Sequence, residues 1–243
     1  MPEPYYRPDL ARVHHEGFGH HAPLVAPGIL RVLEPVRAAG GLVVEFGCGS
    51  GLLTRLLVDA GHRVLATDAS PAMLDLARAT VPDAEGFALV ALPDDPIPAA
   101  DAIVGVGHPI SYLRSEEAIH EALAAMADAL RPGAILAFDV CDLEWGEARR
   151  AAPTFGLQTD DWALITDYSV PTPDRFVRQM AIFTRNEDGS WRRDDERHDN
   201  VLLDTSTLPP LLEAHGVMAT VGTSFGGERL PVGLHTVIGR KAG

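Results

Sequence analysis

The hydrophobic and polar positions of this chain follow two periods in turn, one typical of buried strands and the other typical of helices. Short runs of apolar and β-branched residues predict strands, and stripes with a period of three to four residues predict helices between them. The strands cover residues 42–47, 63–68, 86–92, 101–106 and 134–140, and the helices cover 51–60, 70–79 and 115–130. Because strands and helices alternate, the pattern predicts a parallel sheet built from βαβ units.

The pattern changes on both sides of this alternating region. Residues 9–38 carry apolar positions interrupted by Pro23 and Pro27, which predicts two short helices joined by a break. After residue 140, turn-forming residues separate three strand-like segments, at 162–170, 175–185 and 191–203. These segments predict an antiparallel flap. A helical pattern at 207–215 and a closing pair of strands at 217–223 and 234–240 follow it.

The predicted fold is therefore α/β. It is a Rossmann-like doubly wound seven-stranded sheet, with an N-terminal helical cover and an antiparallel β flap inserted after the fifth strand. We expect a single domain over residues 1–243, in which 1–40 form the helical cap, 41–140 and 205–243 form the core, and 141–204 form the flap.

Composition and charge limit the classes of partner. The 243 residues are 46% hydrophobic, which is enough to bury the core of one domain. The net charge is −14 and no run of basic residues forms a stripe, so neither nucleic acid nor a membrane is an expected partner. Two cysteines predict no disulfide framework, and the absence of a signal-like or membrane-spanning segment favours a cytoplasmic protein. The sequence leaves the oligomeric state open between monomer and homodimer.

The turn after the first predicted strand is the most informative segment. Glu45 lies near the end of this strand, and Gly47, Gly49 and Gly51 follow at alternate positions. Glycine adopts positive φ without strain and lets a ligand approach the main chain closely. The turn therefore predicts a binding site for a small molecule.

The acid beside the turn indicates the kind of ligand. A dinucleotide-binding turn has the spacing G-x-G-x-x-G and receives a diphosphate, whereas here the last gap is one residue shorter. The carboxylate of Glu45, two residues before the first glycine, would repel phosphate. It would attract a ligand that carries ammonium and sulfonium charges, and S-adenosylmethionine fits this description.

Asp68 ends the second predicted strand, at the edge of the sheet where a doubly wound fold keeps its ligand crevice. A carboxylate there can accept hydrogen bonds from both hydroxyls of a ribose. Enzymes that use nicotinamide dinucleotides share this feature, so Asp68 alone does not separate the two ligand classes. The alternative role of Asp68 is to cap the next helix, which Ser70 explains better.

Four strings in this order and spacing resemble a known family: VVEFGCGSG, ATDAS with PAMLDLAR, DAIVGVGHPISYL and LRPGAILAFDV. They look like the motif series of class I S-adenosylmethionine-dependent methyltransferases, over about residues 42–140 with the closing strands behind. The string at residues 9–14 and the flap resemble the bacterial small-molecule branch of this family. The resemblance implies that the core binds the cofactor and that the flap covers the acceptor site.

The resemblance also implies a role for each matching position. The methionine end of the cofactor would be held by Glu45 and by the turn residues Gly47, Cys48, Gly49 and Gly51. The ribose would be held by Asp68, and the adenine would be flanked by Ala69, Met73 and the main chain of Ala91 and Leu92. Gly107 and His108 would lie near the sulfonium, and S-adenosylhomocysteine would be the product. Cys48 itself is expected to be a small packing residue, since no basic neighbour in sequence activates its thiol.

Two departures from the family pattern concern the adenine and the acceptor. Ala91 and Leu92 stand where many relatives carry an aspartate that accepts from the adenine amino group, so main chain and packing would have to recognise the base. Gly107 and His108 stand where related sequences often have Gly-Glu or Gly-Asn, so the acceptor is expected to differ accordingly.

Two histidines are the candidate catalytic residues. His108 follows the fourth strand and His14 lies in the helical cover; either could remove a proton from an acceptor or orient it. The alternatives are a histidine bonded to loop main chain for His108 and a partly buried helix histidine for His14. No set of acids and histidines has metal-ligand spacing, so we expect no metal site.

The sequence thus predicts an enzyme that moves a methyl group from S-adenosylmethionine to an oxygen or nitrogen atom of a small, largely apolar molecule. Two alternatives stay open. One is an NAD(P)-dependent oxidoreductase, against which the glycine spacing and Glu45 both argue. The other is a protein that binds S-adenosylmethionine without methylating. A protein substrate is not excluded.

Overall fold

The computed structural model describes residues 5–243 of the chain. Its strands are β1 (Leu42–Phe46), β2 (Arg63–Asp68), β3 (Gly86–Leu89), β4 (Ala100–Gly105), β5 (Leu130–Cys141), β6 (Phe155–Gln158), β7 (Trp162–Thr172), β8 (Arg175–Arg185), β9 (Trp191–Val201), β10 (Val217–Gly222) and β11 (Leu234–Lys241). Its α-helices are α1 (Pro8–Gly17), α2 (His21–Ala38), α3 (Leu52–Asp59), α4 (Pro71–Thr80), α5 (Glu116–Ala129), α6 (Leu143–Arg149) and α7 (Leu208–Ala214). Within residues 5–243, none of the helices combines the length and apolar character that a membrane crossing needs.

A mixed sheet of seven strands has the order β10-β11-β5-β4-β1-β2-β3. The strands from β1 to β5 pair in parallel, and β11 runs antiparallel to both of its neighbours, β5 and β10. The strand order reverses at β1, which lies between β4 and β2, and such a reversal opens a crevice at the carboxyl ends of the strands. The predicted Rossmann-like doubly wound sheet is confirmed.

The sheet separates two hydrophobic layers. Val43 of β1 belongs to the layer that contains α2 and α3, and Val44 belongs to the layer that contains α5 and α7. Both valines are fully buried, as a parallel strand between two helical layers requires. β1 is therefore fixed on both faces, and the glycine turn that follows it starts from a rigid support.

The N-terminal cover consists of two helices, but the break between them lies earlier than the sequence predicts. α2 is one helix of 18 residues that continues through Pro27, and residues 18–20 separate it from α1. A proline inside a helix removes one hydrogen bond, yet Val25, Ile29 and Leu33 on the inner face are all fully buried. Tertiary packing therefore holds this helix together where local propensity would end it.

The flap after β5 is confirmed and contains two elements that the sequence pattern did not indicate. β6, β7, β8 and β9 form an antiparallel sheet in that order, and α6 precedes it. α6 has seven residues and β6 has four, which is too short for either period to show in the sequence. Trp162 of β7 packs with Leu10 and Val13 of α1, so the cover and the flap share a small core.

Candidate functional site

The glycine turn between β1 and α3 presents bare main chain. Gly47, Gly49 and Gly51 all have positive φ, between 55° and 83°. A side chain at Gly47 would collide with Pro109, so the turn lies in direct contact with the segment after β4. Apart from its own residue and its two chain neighbours, no atom of residues 5–243 lies within 4 Å of the position that a Cβ of Gly49 would take. The turn can therefore receive a ligand against its backbone.

Glu45 lies buried at the end of β1, with 2% of its surface exposed. Its Oε2 accepts a hydrogen bond from Thr54 Oγ1 of α3 at 2.7 Å. Burial raises the pKa of Glu45 to about 8, because the ionised carboxylate loses hydration. The hydrogen bond from Thr54 lowers the pKa by less than burial raises it, and the negative charge of Asp68 raises it further. A cation bound nearby would stabilise the ionised carboxylate. The site thus has the chemistry of a receptor for a positively charged ligand.

This raised pKa predicts that the ligand-free protein loses stability as the pH rises from about 5 to about 8. The ordinary pKa of Glu45 is 4.5, so in this window the folded state holds a proton that the unfolded state has released. The expected loss approaches about 1.4 kcal/mol per pH unit. Glu45→Gln cannot titrate and is expected to flatten the slope, which urea unfolding at several pH values measures. Asp75→Asn, a substitution of a carboxylate 78% exposed on α4, is the control; equal slopes in Glu45→Gln and the wild type would contradict the prediction.

Asp68 connects β2 to the glycine turn. Its Oδ2 accepts a hydrogen bond from the Gly49 amide at 2.8 Å, and its Oδ1 accepts one from the Ser70 amide at 2.8 Å. Each oxygen keeps a lone pair for another donor, such as a ribose hydroxyl. Two predicted binding residues therefore lie together at the carboxyl ends of β1 and β2.

Cys48, within the glycine turn, is buried and packs with Ala66, Leu74 and Ala77. Burial raises the pKa of its thiol well above the ordinary value, so the side chain remains a protonated thiol at neutral pH. Its amide donates a hydrogen bond to the Thr67 carbonyl at 2.9 Å, which ties the turn to β2. The side chain of Cys48 therefore packs in the interior, and its main chain holds the glycine turn against β2.

The residues predicted to surround an adenine lie after β2 and after β3. Ala69 is exposed, while Met73 is buried, with its amide donating to Ser70 Oγ at 3.2 Å. The Ala91 amide donates to Asp95 Oδ2 at 2.8 Å, and the Ala91 carbonyl accepts from the Asp95 amide at 3.0 Å. The main chain of Ala91 is thus already engaged by Asp95, and the partly buried Leu92 follows it.

A buried carboxylate, Asp139 of β5, holds the turn after β4. Its Oδ1 accepts a hydrogen bond from the His108 amide at 2.6 Å, and its Oδ2 accepts one from the Gly107 amide at 3.1 Å. Oδ2 also lies 2.7 Å from His21 Nε2 of α2. His108 has a φ of +50°, a left-handed conformation that costs energy for a residue with a side chain. Asp139 therefore fixes a strained turn of the predicted site and anchors α2 to the sheet.

The His108 imidazole lies among aromatic rings. It stacks on Tyr112 with ring centroids 5.5 Å apart, and it is tilted against Trp145 at 5.4 Å. Its Nδ1 is buried without a hydrogen-bond partner among residues 5–243. Burial, together with the charge of Arg178, lowers the pKa of His108 to about 3. A histidine with this pKa is neutral and weakly basic at neutral pH.

His14 belongs to the same cluster of rings. It lies edge to face with Tyr6 at 5.0 Å, and the hydroxyls of Tyr6 and Tyr112 are 2.8 Å apart. The two predicted catalytic histidines are thus joined through two tyrosines. Burial, again with the charge of Arg178, lowers the pKa of His14 to about 3. Its Nδ1 has no partner within the described part of the chain.

Arg178 of β8 lies between these groups, and sequence reasoning did not single it out. Its Nη2 donates to the hydroxyls of Tyr6 and Tyr112 and to His198 Nδ1, the last at 3.0 Å. A guanidinium can only donate, so His198 is neutral and its Nε2 carries the proton. That nitrogen donates to Glu196 Oε2 at 2.8 Å. Arg178, His198 and Glu196 therefore form a fixed chain of hydrogen bonds on the flap.

The segment at Tyr6 and Arg7 joins the flap to the loop after β2. Both amides donate to the Glu196 carboxylate, at 2.9 Å from Tyr6 and 2.7 Å from Arg7. The Tyr6 carbonyl accepts a hydrogen bond from Ser70 Oγ at 2.8 Å. The segment at Tyr6 and Arg7 thus links the flap to the loop after β2.

Comparisons with known proteins agree with this architecture. Residues 43–133 match the family model of a methyltransferase domain, and no curated protein matches the sequence significantly. A S-adenosylmethionine-dependent methyltransferase from Clostridium acetobutylicum has a TM-score of 0.81 at 15% identity, over 96% of this chain and 98% of its own. The sugar N-methyltransferase KedS8 from Streptoalloteichus has a TM-score of 0.79 at 17% identity, over 100% of this chain and 97% of its own. The third structure is that of CalS10, an amino pentose methyltransferase from Micromonospora echinaspora, with S-adenosylmethionine bound. It has a TM-score of 0.72 at 16% identity, over 100% of both chains.

Proposed function

We propose that the chain, whose residues 43–133 match a methyltransferase domain, is a class I S-adenosylmethionine-dependent methyltransferase. It would move a methyl group from this cofactor to an oxygen or nitrogen atom of a small, largely apolar molecule. One observation carries the proposal. The buried carboxyl of Glu45 lies beside a glycine turn of bare main chain, and the two together suit a cationic ligand and disfavour a diphosphate.

The residues of the crevice fit the cofactor. Glu45 would hold the positively charged methionine end, Asp68 would accept from the ribose hydroxyls, and the main chain at Gly49 would lie against the ligand. When bound, S-adenosylmethionine supplies an electrophilic methyl group on a sulfonium. The proposed site thus has two parts. The cofactor side lies at the ends of β1 and β2, and the acceptor side lies between the end of β4 and the flap.

The contribution of the chain to the reaction is mainly one of position. Asp139 holds His108 at the acceptor side, and the rings of Tyr112 and Trp145 exclude water around it. Holding two reactants in near-attack geometry can lower the activation barrier by roughly 7–11 kcal/mol. Because His108 is neutral and weakly basic, it suits an acceptor atom that is already deprotonated and needs no base.

Calorimetry with S-adenosylhomocysteine and with NADH tests the proposal. We expect binding of S-adenosylhomocysteine in the micromolar range or tighter, because the crevice offers carboxylates to ammonium and ribose groups, and no measurable heat with NADH. Heat with NADH but none with S-adenosylhomocysteine would overturn the assignment and favour an oxidoreductase.

A further inference from the structure

The flap places the positive charge of Arg178 on the proposed acceptor side, without an anionic hydrogen-bond partner among residues 5–243. Among residues 5–243, the hydrogen bonds of Arg178 go to two phenols and to the neutral imidazole of His198. The Nε of Arg178 is buried and donates to no group in this part of the chain. Arg178 is partly buried, and a guanidinium that has lost part of its hydration is costly unless a negative group completes it. The missing partner is therefore expected to be a ligand.

The carboxylates of this region are committed to other donors. Glu196 accepts from His198 Nε2 and from the amides of Tyr6 and Arg7. Asp139 accepts from two amides of the turn after β4 and contacts His21. Each of the two carboxylates is therefore already engaged by three polar groups of the chain.

Further unpartnered polar atoms lie on the same face of the flap. Residues opposite each other in an antiparallel pair share a face, and the register pairs Arg178 with His198 and Phe176 with Asn200. Asn200 is fully buried, and neither atom of its amide has a partner among residues 5–243. Phe176 is in ring contact with Trp145, whose buried indole N–H is also unpartnered in this part of the chain. One wall thus offers hydrogen-bond donors between aromatic rings.

The field of Arg178 also disfavours a second cation in the cleft. After burial, its charge is the largest cause of the lowered pKa of both His14 and His108, so both rings stay neutral. A protonated amine at His108 would meet the repulsion of Arg178, which is larger there than the opposing attraction of Asp139. An anionic oxygen would be attracted, and it needs no base to remove a proton, which agrees with two weakly basic histidines.

We propose that the acceptor carries an anionic oxygen, either a carboxylate or a phenolate, on a flat aromatic skeleton, and that Arg178 binds this oxygen. The rings of Tyr112, Trp145 and Phe176 hold the skeleton. The inference rests on the proposed function and narrows its acceptor to an acid. It sets this chain apart from neighbours described as acting on sugars at nitrogen or on amino pentoses.

Binding of four small aromatic probes to the protein loaded with S-adenosylhomocysteine tests the inference. The probes are benzoate, 4-nitrophenolate, benzyl alcohol and benzylamine, and calorimetry measures the dissociation constant of each. We expect at least one of the two anions to bind at least tenfold more tightly than benzyl alcohol, with benzylamine weaker still, and the stronger anion identifies the acid. Benzylamine binding as tightly as the anions, or no binding of either anion, would overturn the proposal.

Arg178→Gln gives the second arm of the experiment. It is expected to weaken binding of the preferred anion at least tenfold and to leave binding of S-adenosylhomocysteine within twofold. Arg178→Lys, which keeps the charge, should restore part of the affinity, and Arg185→Gln, at an exposed position on the same strand, should change neither. Unchanged anion binding in Arg178→Gln would overturn the proposal, and if that variant does not fold, the wild-type panel decides. Failure of the wild type to bind S-adenosylhomocysteine would instead contradict the proposed function.

Discussion

Replacement of Asp68 by alanine is expected to raise the dissociation constant of S-adenosylhomocysteine about a hundredfold or more. The carboxylate holds the amides of Gly49 and Ser70 and, in the proposed complex, accepts from two ribose hydroxyls. A hydrogen bond to a charged group contributes about 1.5–3 kcal/mol. Loss of two such bonds therefore costs about 3 kcal/mol or more, which corresponds to about two orders of magnitude in affinity. Calorimetry measures the change directly.

Two further variants separate binding from folding. Asp68→Asn keeps one acceptor oxygen and is expected to fall between the alanine variant and the wild type. Asp75→Asn, at an exposed position on α4, is expected to bind normally. Thermal unfolding of each variant without ligand shows whether the fold survives. A folded Asp68→Ala protein that binds within about threefold of the wild type would exclude the ribose role, since a single lost charged hydrogen bond already exceeds that factor.

Replacement of Asp139 by alanine is expected to lower the free energy of unfolding by about 3–5 kcal/mol. The side chain is fully buried, and its removal leaves the amides of Gly107 and His108 without an acceptor and His21 without its partner. An unpartnered buried donor costs about 1–3 kcal/mol, so the contributions reach this range together. Urea unfolding measures the loss.

Asp139→Asn keeps an acceptor oxygen of the same size and is expected to be less destabilised than Asp139→Ala. Asp128→Asn, which removes a carboxylate 66% exposed beside His215, is the surface control and should stay within about 0.5 kcal/mol of the wild type. If Asp139→Ala lost no more than this control, the carboxylate would not be holding the turn.

The strands and the turn of the proposed cofactor side could be predicted because their signals are local. Each central strand is buried on both faces, so apolar runs such as that containing Val43 and Val44 mark it directly. The turn depends on Gly47, Gly49 and Gly51, whose spacing is visible without any knowledge of the fold. Secondary structure, sheet class and the crevice follow from such signals.

The flap residues of the proposed acceptor side could not be predicted, because their burial depends on pairing between distant segments. β9 is polar along most of its length, so a period of two does not separate the inward His198 and Asn200 from Arg197 and Asp199, which pair at the surface. Only the register with β8 brings Arg178 opposite His198. Asp139 did leave a signal, since a carboxylate inside a strand that is otherwise apolar requires donors in the interior.

Tyr6 is bonded through its amide to the flap and through its carbonyl to the loop after β2. A movement that separates the flap from the loop after β2 has to break at least one of these two hydrogen bonds. The relative position of the two walls therefore depends on a single residue near the start of α1.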